Sequence, residues 1–408
     1  MTIDTSDDTP AVEPTAKKTR RPRNRKAQII TVARDQFGRR GYHGVNMEDI
    51  ASAVGITAGA LYRHFPNKQD LLAQAILDAA SSITATLDDV DPEDSASNCL
   101  ALFRYCLDNG FRAVLFDQES RNLVPERRAE VQTAVRSVVA RIADALRAER
   151  PDLTAADADM LAWALASVAL SPARHRTSLP RKRLESLLLT LCDRLRDAPI
   201  LHTEEKPAEE VHVSGFAHAS RRETLLTAAI SLFRQRGYQS VTMDDIGAAA
   251  GMASSSIYTY FGSKVEVLQA ILSRGNETLR MGLVQALAGA RSRDDALTRV
   301  VHSYATAVAA PDSSIGILIE ESTNLPEEAR SQSRTGQREY LDEWVHLLGT
   351  DTHETRATVL AAIDLINGLF RLRHLRARPQ HQDEIVDLAL RVLGVSGGAH
   401  TTDPATPT

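Results

Sequence analysis

The chain has 408 residues, more than one hydrophobic core usually holds, so two or more domains are expected. Its apolar fraction of 43% and charged fraction of 25% are those of an ordinary globular protein, and a net charge of −5 does not by itself indicate nucleic-acid binding. Three cysteines argue against a disulfide framework, and the longest apolar run is too short to cross a membrane. Because the acidic N-terminus is also unlike a secretory signal, a cytoplasmic protein is predicted.

The charge is unevenly distributed along the chain. The segment KKTRRPRNRK, residues 17–26, has seven basic residues in ten. From Lys17 to Leu72 there are twelve Lys or Arg against four Asp or Glu, whereas residues 219–268 have five against four. Such a run is either a solvated tail or an arm that follows nucleic-acid phosphates, and its position directly before the motif described next favours the arm.

A repeat is the main feature of the sequence. Residues 25–72 align without a gap to residues 221–268, with 17 identities in 48. The weaker echoes ESRNL at 119–123 and ESTNL at 321–325, and the segments 161–175 and 360–374, extend the repeat, so a unit of about 200 residues is duplicated. Composition and apolar spacing predict helices throughout.

Each repeat begins with an amphipathic helix that a glycine ends. The apolar face of the first copy returns in the second, and Gly41 and Gly237 fit left-handed helix stops. Asn46 and Thr242 stand where the N-cap of a short second helix belongs, and both are candidate DNA contacts. After Gly55 or Gly251, a third short helix is predicted in TAGALYRHF, 57–65, and in ASSSIYTYF, 253–261. Two short helices joined by a glycine turn predict a helix-turn-helix, whose second helix enters the DNA major groove.

The residues shared by the two third helices differ in role from those that vary. Tyr62 and Tyr258, with Lys68 and Lys264, are retained, which favours contact with backbone phosphates; the alternative is that each tyrosine covers the small core. The varying positions are predicted to lie near base edges. They are Thr57, Ala58, Gly59, Ala60 and Arg63 in the first copy and Ala253, Ser254, Ser255, Ser256 and Thr259 in the second.

Both repeats resemble the DNA-binding domain of the TetR family of bacterial regulators. The resemblance lies in FGRRGYHGVNMEDIASAVGITAGALYRHFPNKQDLL and FRQRGYQSVTMDDIGAAAGMASSSIYTYFGSKVEVL, about 50 residues per copy. It implies an all-helical protein that binds operator DNA, dimerises through its last two helices and holds a small ligand in a second domain. It also implies phosphate contacts by Tyr62, His64 and Lys68. The second copy departs at Tyr260 and Gly262, which replace His64 and Pro66, and the fusion departs from the family's single unit.

The second domain of each unit has candidate ligand residues. Phe103, Leu107 and Phe111 could line a pocket or belong to ordinary core. The repeated polar residues could face the ligand or tie down a helix end. These are Glu119, Asn122, Glu321 and Asn324. A late apolar stripe is suited to a four-helix interface, and its members are Ile363, Ile366, Leu369 and Phe370.

The predicted organisation is all-α, with two tandem units that each join a three-helix helix-turn-helix domain to a helical ligand-binding and dimerisation domain. The predicted bounds are 1–23 for a disordered tail, 24–72 and 73–198 for the first unit, 199–218 for a linker, 219–268 and 269–396 for the second unit and 397–408 for a second tail. Histidines 202, 212 and 218 have no metal-ligand spacing, and we identify no phosphate loop, nucleophile elbow or cofactor motif. An enzyme, a metal site and a membrane partner are therefore not expected.

The sequence thus predicts a one-component repressor that a small molecule of unknown identity releases from double-stranded DNA. The two units would pair within one chain as a pseudo-dimer, with an intermolecular homodimer as the alternative. A further alternative is that only the first unit binds DNA and the second is an interaction module. Because the two predicted recognition helices differ at seven of nine positions, a pseudo-dimer should prefer two unlike half-sites.

Overall fold

The computed structural model describes residues 24–110, 113–175, 177–199, 219–310 and 312–395. Within these ranges the chain forms helices and turns without any strand, so the predicted all-α class is confirmed. The helices of the first unit are α1 (Arg25–Arg40), α2 (Met47–Val54), α3 (Ala58–His64), α4 (Lys68–Asp88), α5 (Ser95–Asn109), α6 (Leu115–Glu119), α7 (Pro125–Glu149), α8 (Ala155–Arg174) and α9 (Arg181–Arg196). Those of the second are α10 (Arg221–Arg236), α11 (Met243–Ala249), α12 (Ser254–Ile257), α13 (Lys264–Ala288), α14 (Arg293–Ala309), α15 (Ile315–Glu321), α16 (Glu327–Leu347), α17 (His353–Arg371) and α18 (His381–Leu393).

Local sequence accounts for the ends of the first helices in each unit. Gly41 and Gly237 follow α1 and α10 with φ of 71° and 76°, a region that side chains rarely enter, so a glycine ends each helix as predicted, but not in the predicted left-handed helical conformation. Their ψ angles of 164° and 153° are extended rather than left-handed helical, which turns the chain away from the helix at once.

The three-helix bundle at the start of each unit encloses a small apolar core. In the first unit the side chains of Ile29, Phe37, Ile50 and Leu61 are fully buried. Leu115 and Leu123, beyond the bundle, close its base. The predicted bound between the two domains of this unit, at residues 72 and 73, falls inside α4, which runs unbroken from Lys68 to Asp88 and so links them rigidly.

The second domains of the two units pack against each other through their last two helices. Helix α8 lies against α17, and α9 lies against α18. Ile366 and Leu369 are fully buried, Phe370 is buried and Ile363 is half-buried, so the predicted stripe is covered, and its role in a four-helix interface stays a prediction. Polar contacts also cross the interface: Asp157 accepts from Arg378 at 2.7 Å, Asp159 pairs with His374 at 2.8 Å, and His175 pairs with Asp364 at 3.0 Å.

None of the helices in the described part of the chain combines the length and the apolar character that a membrane crossing requires.

Candidate DNA interface

Helix α3 is held by two apolar anchors and exposes most of its polar side chains. Leu61 is fully buried and Phe65 is 4% exposed, and together they fix the helix to the bundle. Thr57 caps its first turn by accepting the N–H of Ala60 at 3.2 Å. Of the predicted base-edge positions, Thr57, Gly59 and Arg63 are exposed, and Ala58 and Ala60 are half-buried.

The predicted phosphate contacts on α3 also face solvent. The ring of Tyr62 is exposed, as is His64. Neither of these side chains, nor that of Arg63, makes a hydrogen bond to another residue in the described ranges. A row of exposed hydrogen-bonding side chains on a rigidly held short helix suits a groove-reading surface.

The second copy builds the same surface on a shorter helix. Helix α12 has four residues against seven in α3, because Ala253 supplies no side-chain cap and serines favour turns over helix. Ile257 anchors it, and Gly247 lets it approach, since a Cβ at this position would collide with the Ile257 side chain. Ser255, Thr259, Tyr258 and Tyr260 are exposed, Ser256 is half-buried, and Ser254 is the first residue of the helix.

Asn46 and Thr242 are the N-caps of α2 and α11, as predicted. Each forms a reciprocal capping box with the acidic residue three positions on: Asn46 with Asp49 and Thr242 with Asp245. Both caps are exposed. Because the N–H groups at a helix start attract anions, the two caps could lie near phosphates, and that contact stays a prediction.

Lys68 and Lys264 lie beside the turn that follows the first helix of each unit. The Lys68 amine is 4.1 Å from the centre of the Tyr42 ring. The Lys264 amine is 4.3 Å from the Tyr238 ring and donates to the carbonyls of Tyr238 at 2.9 Å and Val241 at 2.7 Å. Burial lowers the pKa of both lysines. Phosphate contact by Lys264 would therefore compete with its backbone acceptors, and for both lysines that contact stays a prediction.

The repeated glutamate and asparagine fasten the first domain of each unit to the second. Glu119 accepts the N–H of Tyr42 at 3.1 Å, and Asn122 donates to the same carboxylate at 2.7 Å. Glu321 accepts the N–H of Tyr238 at 3.1 Å, and Asn324 donates to Glu321 at 2.7 Å. Burial raises the pKa of Glu119 and of Glu321. This geometry agrees with the tie-down interpretation of these four residues.

A cavity lies in the second domain of each unit. The first, about 60 Å³, is lined by residues of α4, α5, α6, α7 and α8, and the second, about 440 Å³, lies between α13 and α16. Phe103 is fully buried core and Leu107 is half-buried. Neither they nor the four tie-down residues line these two cavities, and Phe111 lies outside the described residues.

Sequence reasoning missed Arg121, which connects the two units. Its guanidinium lies 2.6 Å from Glu320 and 2.8 Å from Glu321, the glutamate that holds Tyr238. The sequence signal for Arg121 is the one residue that differs between ESRNL and ESTNL. Nearby, the His43 ring is 3.5 Å from the Ser240 hydroxyl, so the turns after α1 and α10 also meet.

Most of the basic arm falls outside the described residues, which begin at Asn24. At its end, Arg25 lies 3.5 Å from the carbonyl of Val54, and the Lys26 amine lies 5.7 Å from the centre of the Phe65 ring. The end of the arm therefore lies against the helix-turn-helix.

Comparison with known proteins gives a consistent result for the two bundles. The model for bacterial regulatory proteins of the tetR family matches residues 29–75 and 225–271. The HTH-type transcriptional activator FasR of Mycolicibacterium smegmatis is 27% identical over 173 residues, which cover 41% of this chain and 78% of that protein. The HTH-type transcriptional regulator TtgR of Pseudomonas putida is 33% identical over 98 residues, 24% of this chain and 46% of that protein, so the chain spans less than half of TtgR. The crystal structure of a TetR-family regulator from Bordetella parapertussis 12822 superposes with a TM-score of 0.39 at 21% identity, covering 42% of this chain and 95% of that one.

Proposed function

We propose that this chain, which belongs to the TetR family and carries two of its units in tandem, is a transcriptional regulator. Its two unlike helix-turn-helix domains would bind one operator as a pseudo-dimer. A small ligand would release the protein from its operator, which makes it a repressor. The domain bounds given above stand as part of this proposal.

The observation that carries the proposal is the packing of α8 and α9 against α17 and α18 within one chain. This contact covers the faces that two separate chains would otherwise use to dimerise. Charged contacts also fix its register, because Asp157, Asp159 and Asp364 each meet a basic side chain of the other unit. The proximity of His43 and Ser240 supports two DNA-binding bundles held in one relative position.

A second candidate function has its own support. Only the first unit would bind DNA, and the second would serve as an interaction module. Helix α12 is short and uncapped, the Lys264 amine is engaged by carbonyls, and residues 219–268 have only five basic residues against four acidic ones. Each feature weakens the second bundle as a DNA-binding surface relative to the first.

Selection of DNA from a random pool separates the two candidates. We expect the wild-type protein to select an operator with two unlike half-sites, and light scattering to give the mass of one chain in solution. The double variant Tyr62→Ala/Arg63→Ala should lose one half-site, and the matched Tyr258→Ala/Thr259→Ala should lose the other.

Three results would decide otherwise. Wild-type affinity and selection in the second variant would favour the interaction module. A perfect palindrome, or a mass of two chains that persists on dilution, would contradict the pseudo-dimer and indicate a dimer of chains.

A further inference from the structure

The pair α4 and α7 of the first unit and the equivalent pair α13 and α16 of the second differ in the contacts between their helices. In the first unit, two arginines of α7 hold it against α4. Arg127 donates to Asp70 at 2.8 Å, and Arg141 donates to the carbonyl of Leu87 at 2.9 Å while pairing with Asp88. Between these two contacts Val131 and Val138 are buried, so the space between the helices is filled.

The second unit lacks both contacts. With ESRNL aligned to ESTNL, Ala329 stands at the position of Arg127 and Glu343 at that of Arg141. The same alignment places Ser333 and Tyr340 where the first unit has its two valines. Gly336 replaces Ala134 in the same way. The loss of both arginine contacts and the smaller Ser333 and Gly336 accompany a cleft of about 440 Å³ between α13 and α16, whereas the cavity of about 60 Å³ in the first unit is lined by α4 to α8. The larger volume is within the usual range for small-molecule sites, roughly 300–1,000 Å³.

The lining of this cleft combines an apolar wall with acidic groups. Leu272, Leu279 and Leu283 of α13 are buried along it. It contains three glutamates and one arginine, and the arginine, Arg280, is already paired with Glu277 at 2.6 Å. Glu339 and Glu343 make no ion pair with another residue of the described ranges. The cleft thus has an excess of two negative charges.

A second, independent feature indicates an absent partner. Ser333 lines the cleft and is 5% exposed, yet its hydroxyl has no hydrogen-bond partner among the described residues. Burying a hydroxyl without a partner is costly, and native proteins rarely leave one unpaired. A polar group of a bound molecule would satisfy it.

We propose that the cleft between α13 and α16 binds an organic cation with an apolar body, a protonated amine facing Glu339 and Glu343, and a polar group within reach of Ser333. In the first unit Arg127 and Arg141 hold the equivalent helix pair closed, so we expect one such ligand per chain. The inference rests on the proposed ligand response and names the unit and the ligand class that serve it.

The test measures binding to the full chain without DNA. The chain has two tryptophans, and Trp163→Phe leaves Trp344, whose ring lies 6.2 Å from that of the cleft residue Tyr340. Trp344 fluorescence is titrated with three probes of one skeleton: 4-phenylbutylamine, 4-phenylbutanol and 4-phenylbutyrate. Because one charge contact contributes about 1 kcal/mol, we expect the amine to bind roughly fivefold tighter than the alcohol, and the acid to bind most weakly.

Variants on the cleft and away from it provide the controls. Glu339→Gln/Glu343→Gln should remove the preference for the amine over the alcohol, and Gly336→Leu should abolish binding of all three by filling the cleft. The pair Glu93→Gln/Glu126→Gln changes the charge equally on exposed sites of the first unit and should leave every affinity unchanged. If Gly336→Leu fails to fold, Glu339→Gln/Glu343→Gln still decides the matter, with Glu93→Gln/Glu126→Gln as its control.

Equal binding of amine and alcohol, no binding of any probe, or a preference that survives Glu339→Gln/Glu343→Gln would overturn the proposal. Because DNA is absent, these results are separate from the repressor function. An amine that binds with the expected preference but does not weaken operator binding would contradict ligand release and leave the site in place.

Discussion

Glu119 and Glu321 serve the same purpose in each unit, because each carboxylate accepts the first backbone N–H after the glycine that ends α1 or α10. The sequence identified these residues as a repeated pair. It could not identify their partner, since every residue but proline has a backbone N–H and Tyr42 lies 77 residues from Glu119. Only the packing of α6 against α1 brings the two together.

Arg121 breaks this symmetry, because it pairs with Glu321 and its charge also acts on Glu119. Its charge lowers the pKa of Glu119 and of Glu321, which burial raises in both. The equivalent position of the second unit is threonine at 323, so only one guanidinium serves two carboxylates. Arg121 therefore links the α6 region of the first unit to the three-helix bundle of the second.

Arg121→Ala should destabilise the protein by about 1–3 kcal/mol, because Glu321 would be left buried without its cation. The loss should grow with pH. A carboxyl whose folded pKa is raised stabilises the fold while it is protonated, and that contribution disappears as pH rises through the folded pKa. Urea unfolding of Arg121→Ala and wild type between pH 5 and pH 8 measures the difference.

Glu321→Gln in the Arg121→Ala background is the matched control. Its amide oxygen can still accept the N–H of Tyr238, and it has no charge to bury. The stability difference between this double variant and Arg121→Ala should widen as pH rises. A loss in Arg121→Ala that is independent of pH would show that Glu321 does not depend on Arg121 for its charge.

At the scale of helices, the sequence predicted the bundle well because each boundary has a local cause. The caps Asn46 and Thr242 and the stops Gly41 and Gly237 act within one turn of their own position. The length of α12 was harder to predict, because the two repeats align without a gap while the second lacks the cap and has three serines. The cleft between α13 and α16 could not be predicted, since it depends on contacts between two helices rather than on either one.

Ala253→Thr should lengthen α12 and stabilise the second bundle. The threonine would accept the N–H of residue 256, as Thr57 accepts that of Ala60, and such a cap contributes about 1 kcal/mol. Thermal unfolding measures the gain. Thr57→Ala is the reciprocal change and should destabilise the first bundle by a similar amount; if it does so while Ala253→Thr has no effect, the short α12 has a cause other than its missing cap.

For the whole molecule, the decisive property is that one chain supplies both sides of the four-helix interface. The sequence predicted the stripe on α17 but not its partner, because an apolar stripe fits equally well on another unit of the same chain or on a second chain. In the structure α17 packs against α8 of the first unit, with Asp364 and Gly368 at the contact. Helices α8 and α17 approach each other closely at Gly368, where a Cβ would come near Ser167 of α8. A side chain at 368 would therefore separate the two helices.

Gly368→Leu should therefore uncouple the two units without removing either DNA-binding bundle. Binding to an operator with both half-sites should weaken by a factor on the order of 10 or more. Two domains held rigidly at one spacing bind as a unit, whereas domains joined only by residues 199–218 must each be placed separately. Affinity for a single half-site should not change. Gly316→Leu is the matched control, since a Cβ on this α15 glycine meets nothing within 4 Å. If Gly368→Leu weakens binding to single and double half-sites equally, the substitution damages a bundle. If affinity for both kinds of DNA is unchanged, the interface between α8 and α17 does not set the spacing of the two DNA-binding domains.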